Sequence, residues 1–164
     1  METSAEELKE KGNEHFRLGQ TEQAITYYEQ AAEKAPNDLK SVCYGNISAC
    51  YLKEGDYSKA LTYCDKALEI NPNYPKIRER KVRVLVEQGR IKEAKEEVDK
   101  GEIDPQLTQR VNSLAEQHFE QEKAEMMSKL KDLGNTVLGK FGLSLDNFQV
   151  NQNEGGGYSI NFQK

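Results

Sequence analysis

Five polar residues recur at related positions along the chain and could bind an anion. Lys9 and Asn13 are four residues apart, and Lys76 and Arg80 repeat that spacing, so each pair lies on one face of a helix. Asn46 lies between the two pairs in the sequence. Lysine and arginine make charge-assisted hydrogen bonds to carboxylates, and asparagine donates to a carboxylate without adding repulsion among cations. In a chain of net charge −5, these side chains predict a local anion-binding site on a polar surface.

A repeated turn motif positions these residues. Three times the chain has a glycine, four intervening residues and an alanine, between two amphipathic stretches, and the alanines are 36 and 34 residues apart. Glycine allows the chain to leave the α region between two helices, and alanine allows the helices to approach closely. The pattern therefore predicts three helix-turn-helix repeats, with their turns at Gly19 to Ala24, Gly55 to Ala60 and Gly89 to Ala94.

The predicted fold is all-α. We expect repeats at about 5–40, 41–74 and 75–104, with helices at 3–18, 21–35, 38–54, 57–70, 74–88 and 91–100, within a domain covering residues 1–104. A repeat cannot bury its apolar face alone, so stacking the three gives a superhelix with a concave face lined by the first helix of each repeat. Residues 105–138 show helical periodicity and predict a long helix whose first half caps the last repeat.

The last segment, residues 139–164, differs from the repeats. Residues 148–152 and 158–162 alternate apolar with polar side chains around glycines 155–157, which predicts a β-hairpin. An isolated hairpin is marginal in water, so it should pack on the helices, pair with another chain or stay mobile. We call residues 139–164 the tail; its candidate partner-binding side chains are Phe141, Leu143, Phe148, Tyr158, Ile160 and Phe162.

Composition argues against several classes of function. No apolar run reaches the about 18 residues of a membrane-spanning helix, so we expect no membrane insertion. A cytosolic or nuclear location follows, and we take the cytoplasm as the expected one. The net charge of −5 disfavours nucleic-acid binding, which needs a basic surface. The three cysteines lack the paired spacing of a zinc site, and neither His15 nor His118 has neighbours at a catalytic spacing. We therefore expect no metal, no cofactor and no enzymatic activity.

The repeats resemble the tetratricopeptide repeat (TPR), a unit of about 34 residues. Residues 8–13, 44–51 and 76–81 further resemble the carboxylate clamp of TPR co-chaperones, which bind the C-terminal Glu-Glu-Val-Asp of the cytosolic heat-shock protein 70 and heat-shock protein 90 families. The resemblance implies that three side chains hold the terminal carboxylate of the last aspartate, and that two hold its side chain and nearby backbone. We call the five residues the candidate clamp: Lys9, Asn13 and Asn46 for the first role, Lys76 and Arg80 for the second.

Two further features extend this hypothesis. Phe16 and Ala49 follow Asn13 and Asn46 by three residues, so they lie on the same helix faces and could line a small apolar pocket for the valine of the ligand. The internal string of residues 96–99 copies Glu-Glu-Val-Asp, but without a free terminal carboxylate it is not expected to be a ligand.

Other interpretations stay open. The cations of the candidate clamp could be ordinary solvated surface charges. The segment from residue 129 to residue 162 resembles the C-terminal region of the tetratricopeptide repeat protein 1 family, which implies an adaptor for heat-shock chaperones and G-protein subunits. The protein could thus be a scaffold whose tail is the main binding element, for a client or a G-protein subunit. The concave face, here also called the groove, would then bind a different ligand.

Overall fold

The computed structural model describes residues 3–152 and 158–162, and the side chains of residues 150–152, 158 and 159 lie outside that description. In these ranges the order of elements is α1 (Ala5–Arg17), α2 (Thr21–Lys34), α3 (Asn37–Glu54), α4 (Tyr57–Ile70), α5 (Pro75–Glu87), α6 (Ile91–Asp99), α7 (Pro105–Gly139), a 3₁₀ turn (Leu145–Asn147), β1 (Phe148–Gln152) and β2 (Tyr158–Phe162). The predicted fold class is confirmed, and every predicted helix end lies within two residues of the observed one.

The ends of the helices follow local rules. α1 begins with a capping box, in which the Ser4 hydroxyl accepts the Glu7 N–H and the Glu7 carboxylate accepts the Ser4 N–H. Asp56 caps α4 by accepting the N–H of Lys59 at 3.0 Å. The turn glycines of the three repeats all have a left-handed backbone, with φ of 79° at Gly19 and Gly55 and 70° at Gly89. A left-handed backbone favours glycine, and its presence at all three glycines confirms the predicted turns.

Small residues allow the helices of the three repeats to pack closely. The turn alanines, Ala24, Ala60 and Ala94, have no exposed surface. A Cβ at Gly12 would lie 2.6 Å from the ring of Tyr28, and one at Gly45 would lie 2.6 Å from the Cδ1 of Ile77. Gly12 thus brings α1 against α2 within the first repeat, and Gly45 brings α3 against α5, the first helices of the second and third repeats.

The last repeat is closed by the start of α7. Leu107 and Val111 are buried in one apolar cluster with Leu85, Ala94 and Val98 of the third repeat. This contact covers the open apolar face that a terminal repeat exposes. The expected capping role of the first part of the long helix is confirmed.

A buried ion cluster ties α6 to α5. Glu97 is 5% exposed and accepts hydrogen bonds from Arg78 at 3.1 Å, Lys81 at 2.9 Å and Lys100 at 2.7 Å. Burial opposes its charge, but the hydrogen bonds from Lys100 and Lys81 outweigh burial and hold the pKa of Glu97 below its ordinary value. Lys81 also pairs with Asp65 at 2.6 Å. The second glutamate of the internal Glu-Glu-Val-Asp string is therefore a packing residue of α6.

The three cysteines are buried and free. Burial is the main cause that raises the pKa of the Cys43 thiol to about 11, that of Cys50 to about 12, and that of Cys64 above its ordinary value. Thiolates are the reactive form of cysteine, so these side chains act as small apolar residues of the core.

The chain divides into two compact units, one ending at Ala115 and the other starting at Glu116. We call the first the repeat unit and the second the C-terminal unit. In the C-terminal unit, the Asn135 side chain accepts the N–H of Leu145 at 2.6 Å, and Lys131 pairs with Asp146 at 2.7 Å. These contacts hold the 3₁₀ turn beside the end of α7.

The predicted hairpin is confirmed in the described part of the tail. β1 and β2 pair antiparallel with Phe148 opposite Phe162 and Gln152 opposite Tyr158. The rings of Phe148 and Phe162 lie 5.4 Å apart between centroids. The predicted turn at glycines 155–157 lies outside the described residues. In the part of the chain that is described, none of the helices has the length and apolarity needed to cross a bilayer.

Candidate functional site

Two asparagines of the candidate clamp meet across α1 and α3. The Nδ2 of Asn46 donates to the Oδ1 of Asn13 at 3.4 Å, and the hydroxyl of Tyr28 donates to the same oxygen at 2.7 Å. Both asparagine side chains are half-buried. The oxygen of Asn13 is thus directed into the protein, and its Nδ2 is left to donate outward.

An unpredicted residue, Glu10, uses that outward donor. The Nδ2 of Asn13 donates to the Glu10 carboxylate at 3.1 Å, and the Lys9 ammonium lies 3.1 Å from the same carboxylate. The hydrogen bonds from Asn13 and then Lys9 lower the pKa of Glu10. Glu10 follows Lys9 directly and precedes Asn13 by three residues, and this spacing could have revealed it in the sequence. Two residues of the candidate clamp therefore already bind a carboxylate, although it is one from their own helix.

Arg80 connects α5 to the turn of α3 that carries Asn46. Its Nη1 donates to the carbonyl oxygen of Gly45 at 2.5 Å and to the hydroxyl of Ser48 at 2.9 Å. The side chain of Arg80 is half-buried. The guanidinium reaches this carbonyl because Gly45 has no side chain to cover it. Arg80 is both a candidate ligand-binding residue and a packing residue.

Lys76 lies one turn before Arg80, near the start of α5, and its side chain is exposed. Its ammonium group makes no ion pair or hydrogen bond with any residue in the ranges 3–152 and 158–162. Within the described ranges, no side-chain hydrogen bond or ion pair joins Lys76 to the other four residues of the candidate clamp. Its ammonium group is consequently available to an external anion.

The two residues of the predicted apolar pocket are half-buried. Phe16 packs against the apolar core of the first repeat, and the ammonium of Lys53 lies 5.1 Å from its ring centroid. Ala49 follows Asn46 by one turn on α3. Each side chain leaves part of its apolar surface beside a candidate clamp asparagine.

Corresponding positions of the three repeats carry these groups. Asn13, Asn46 and Arg80 are separated by 33 and 34 residues, and Lys9 and Lys76 each precede one of them by four. The structure joins the two asparagines directly and joins Arg80 to the neighbours of Asn46. This arrangement offers amide and cationic donors to a carboxylate. No group of three or more His, Cys, Asp or Glu side chains in the described ranges is arranged to hold a metal ion.

The predicted partner-binding side chains of the tail are divided between exposed and half-buried positions. Phe141 is 75% exposed, and Ile160 and Phe162 are also exposed. Leu143 and Phe148 are half-buried. Tyr158 lies in β2, with its side chain outside the described part of the chain. No described contact tests whether these residues bind a partner, and that role stays a prediction.

Comparison with known families agrees with the repeat architecture. Two profiles, both described as tetratricopeptide repeat, match residues 8–73 and 51–117. Together they span more than half of the chain. The chain belongs to the tetratricopeptide repeat family. The TPR fold is a scaffold for protein interaction, built from stacked helix pairs.

Curated relatives match this chain over a small part of their own length. Mouse tetratricopeptide repeat protein 12 is 38% identical over 126 residues, which is 76% of this chain and 18% of that protein. The heat shock protein sti1 homolog of Schizosaccharomyces pombe is 38% identical over 81 residues, which is 49% of this chain and 13% of that protein. This chain thus spans less than a fifth of the length of these relatives.

Solved TPR structures share the fold. The second TPR of Spaghetti (RPAP3) bound to HSP90 peptide SRMEEVD superposes with a TM-score of 0.54 at 26% identity, covering 60% of this chain and 89% of that one. That TPR domain therefore holds a peptide ending in Glu-Glu-Val-Asp.

Proposed function

We propose that the repeat unit binds the free C-terminal Glu-Glu-Val-Asp of cytosolic heat-shock protein 70 and heat-shock protein 90 through the candidate clamp. The protein would then act as a cytoplasmic co-chaperone adaptor. The observation that carries this proposal is the orientation of Asn13. Its oxygen accepts from Tyr28 and Asn46, so its amide nitrogen must donate, and the group that it now meets is a carboxylate.

The division of roles within the clamp is taken from the family resemblance. Lys9, Asn13 and Asn46 would hold the terminal carboxylate of the ligand. Lys76 and Arg80 would hold the aspartate side chain and nearby backbone. Two observations support this division. The side chain of Lys76 is exposed and has no partner among the described residues. Arg80 is anchored through Nη1 alone, and because a guanidinium has five N–H donors, most of them remain for a ligand.

The remaining part of the ligand has a candidate contact as well. Phe16 and Ala49 are half-buried one turn after the two asparagines, and a valine preceding the final aspartate would contact them. Charge-assisted hydrogen bonds are worth about 1.5 to 3 kcal/mol each, and ordering a flexible peptide opposes them. A net free energy of about −8 kcal/mol, which is micromolar affinity, is the expected result.

Relatives support the ligand class. One relative is named a heat shock protein sti1 homolog, and a TPR domain of the same fold at 26% identity holds an HSP90 peptide. These ligands belong to those proteins, and their transfer to this chain rests on the candidate clamp.

Calorimetric titration with a Met-Glu-Glu-Val-Asp peptide tests the proposal. The free acid should bind with a dissociation constant of about 1 to 10 µM, and the peptide with an amidated C-terminus should not bind. Lys76→Glu should weaken binding by more than about tenfold, since it places a carboxylate against the ligand. Lys129→Glu makes the same charge change on α7 and should bind as the parent does.

Two outcomes would overturn the proposal. Equal binding of the acid and the amide would show that no terminal carboxylate is recognised, and no binding of either would leave the groove to a different ligand. Lys76 is a better position than Arg80 for this test, because Arg80 also packs against Gly45 and Ser48. Unchanged far-UV circular dichroism of Lys76→Glu would establish that the repeats remain folded.

A second candidate function is a scaffold in which the tail binds a client or a G-protein subunit. The exposure of Phe141 and Ile160, at 75% and 68%, favours it. Deleting residues 139–164 should remove such a partner from a pull-down and leave peptide binding intact. Recovery of the same partners by the shortened chain would contradict a binding role for the tail.

A further inference from the structure

The C-terminal unit has a continuous exposed apolar stripe on α7. Its five side chains are each more than half exposed. They recur at steps of seven, four, three and four residues, which is the spacing of the a and d positions of a heptad repeat. A helix stripe of this kind normally packs against a second helix. The stripe consists of Phe119, Met126, Leu130, Leu133 and Val137.

Four of the five stripe residues are related in pairs about Ser128. Two identical antiparallel helices whose contact is centred at the level of this residue would place each apolar side chain opposite a residue of the stripe or the stem of one lysine. Such a contact is isologous, so the same surface serves both copies. The opposing positions would be Phe119 with Val137, Met126 with Leu130, and Leu133 with Lys123.

The charges of this segment have the same symmetry. Residues 116–125 contain four glutamates and one lysine, whereas residues 129–140 contain three lysines and one aspartate. In an antiparallel pair the acidic half of one helix would lie along the basic half of the other. At the ends of the stripe, Glu116 would face Lys140, again symmetrically about Ser128. A parallel pair would place like charges together along the whole segment.

We propose that two copies of the chain associate through this stripe as an antiparallel helix pair. The stripe thus packs against the stripe of a second copy. Charge complementarity and the symmetric order of the apolar positions favour this partner. Lys123 is the polar residue of the seam; its aliphatic stem would cover Leu133 of the other copy. Polar residues at such positions set the register of a helix pair and lower its stability. The proposal is independent of peptide binding by the repeat unit.

Sedimentation equilibrium of the full chain from about 1 to 100 µM tests this pairing. The parent should show a reversible monomer–dimer equilibrium. Leu130→Glu should raise the dissociation constant by about a hundredfold, because a symmetric dimer carries the substitution twice. Ser128→Glu is the matched control: it adds the same charge to an exposed position on the opposite side of the helix and should dimerise as the parent does.

Charge exchange tests the orientation. Glu116→Lys and Lys140→Glu should each weaken the dimer, and the double variant should regain the affinity of the parent, because every facing pair again has opposite charges. In a parallel dimer the double variant would bring no such recovery, and the proposed orientation would be refuted.

Two results would overturn the proposal. A parent that stays monomeric over the whole concentration range would assign the stripe to a different protein. A dimer that survives Leu130→Glu would assign self-association to another surface, such as the edges of the hairpin.

Discussion

Replacing Glu97 by glutamine removes the charge at the centre of the buried ion cluster and keeps the size of the side chain. In the native protein, Arg78 lies 3.1 Å from the Glu97 carboxylate, and Lys81 lies 2.9 Å from it. The side chains of Arg78 and Glu97 are only 10% and 7% exposed. The substitution therefore leaves a buried guanidinium without its counter-ion.

The expected loss of stability follows from these contacts. Breaking a buried ion pair by removing one partner costs about 3 to 5 kcal/mol. Two remaining contacts reduce the loss: Lys81 keeps Asp65 at 2.6 Å, and Arg78 keeps the carbonyl oxygen of Pro72 at 2.5 Å. Lys100 is 54% exposed, so losing its pair adds little. We expect the free energy of unfolding to fall by about 3 kcal/mol.

Urea unfolding followed by far-UV circular dichroism measures this loss, since the chain has no tryptophan for fluorescence. With a denaturant slope of about 2 kcal/mol per molar, the unfolding midpoint of Glu97→Gln should fall by about 1.5 M. Glu96→Gln is the control, because Glu96 is its exposed neighbour on the same helix. A loss for Glu97→Gln within about 0.5 kcal/mol of the control would refute the stabilising role of the cluster.

The stability difference between the parent and Glu97→Gln should depend on pH. The pKa of Glu97 is lower in the folded protein than its ordinary value of 4.5. Its contribution to stability is therefore fully present above pH 4.5 and is lost as the pH falls through the lowered pKa. The stability difference between the parent and Glu97→Gln should be constant at about pH 6 to 8 and should shrink in acid. A difference that grows in acid would mean that another group causes it.

Three further predictions concern single features of the repeat unit. Glu10→Gln should strengthen binding of the acidic peptide about two- to threefold, because it weakens the contacts that now hold Lys9 and Asn13; weaker binding in calorimetry would contradict competition by Glu10. Asp56→Ala should lower the free energy of unfolding by about 1 kcal/mol, because it leaves the N–H of Lys59 without its cap, and an unchanged urea midpoint would count against it. The three buried cysteines should react with a thiol reagent only slowly in the native protein and rapidly in urea, and fast native labelling would show that one is accessible.

Local patterns were enough to predict the repeat architecture. The left-handed turns at Gly19, Gly55 and Gly89 and the buried alanines of the second helices depend on short-range sterics, and the amphipathic stretches follow the helical period. The hairpin likewise followed from alternation of apolar and polar residues. These features involve residues close in the chain, and helix ends were therefore predicted to within two residues.

The sequence predicted which residues form the candidate site but only part of what surrounds them. Corresponding positions in successive repeats identified Asn13, Asn46 and Arg80 as neighbours. The sequence did not reveal that Arg80 donates to a carbonyl exposed by Gly45, or that Tyr28 orients the amide of Asn13. These contacts join residues 35 and 15 positions apart, and they depend on which side chains face each other once the helices are packed.

Arg78 and Glu97 show the limit of sequence reasoning most clearly. The sequence by itself determined that Arg78 lies in the fifth predicted helix, two residues after Lys76 and two before Arg80. It also placed Glu97 in an internal copy of the chaperone motif. Only the tertiary structure decided that these two charges are buried together between α5 and α6. The physical reason is that a charge enters a protein interior only where a partner from another element compensates its lost hydration, and the packing of the helices alone supplies that partner.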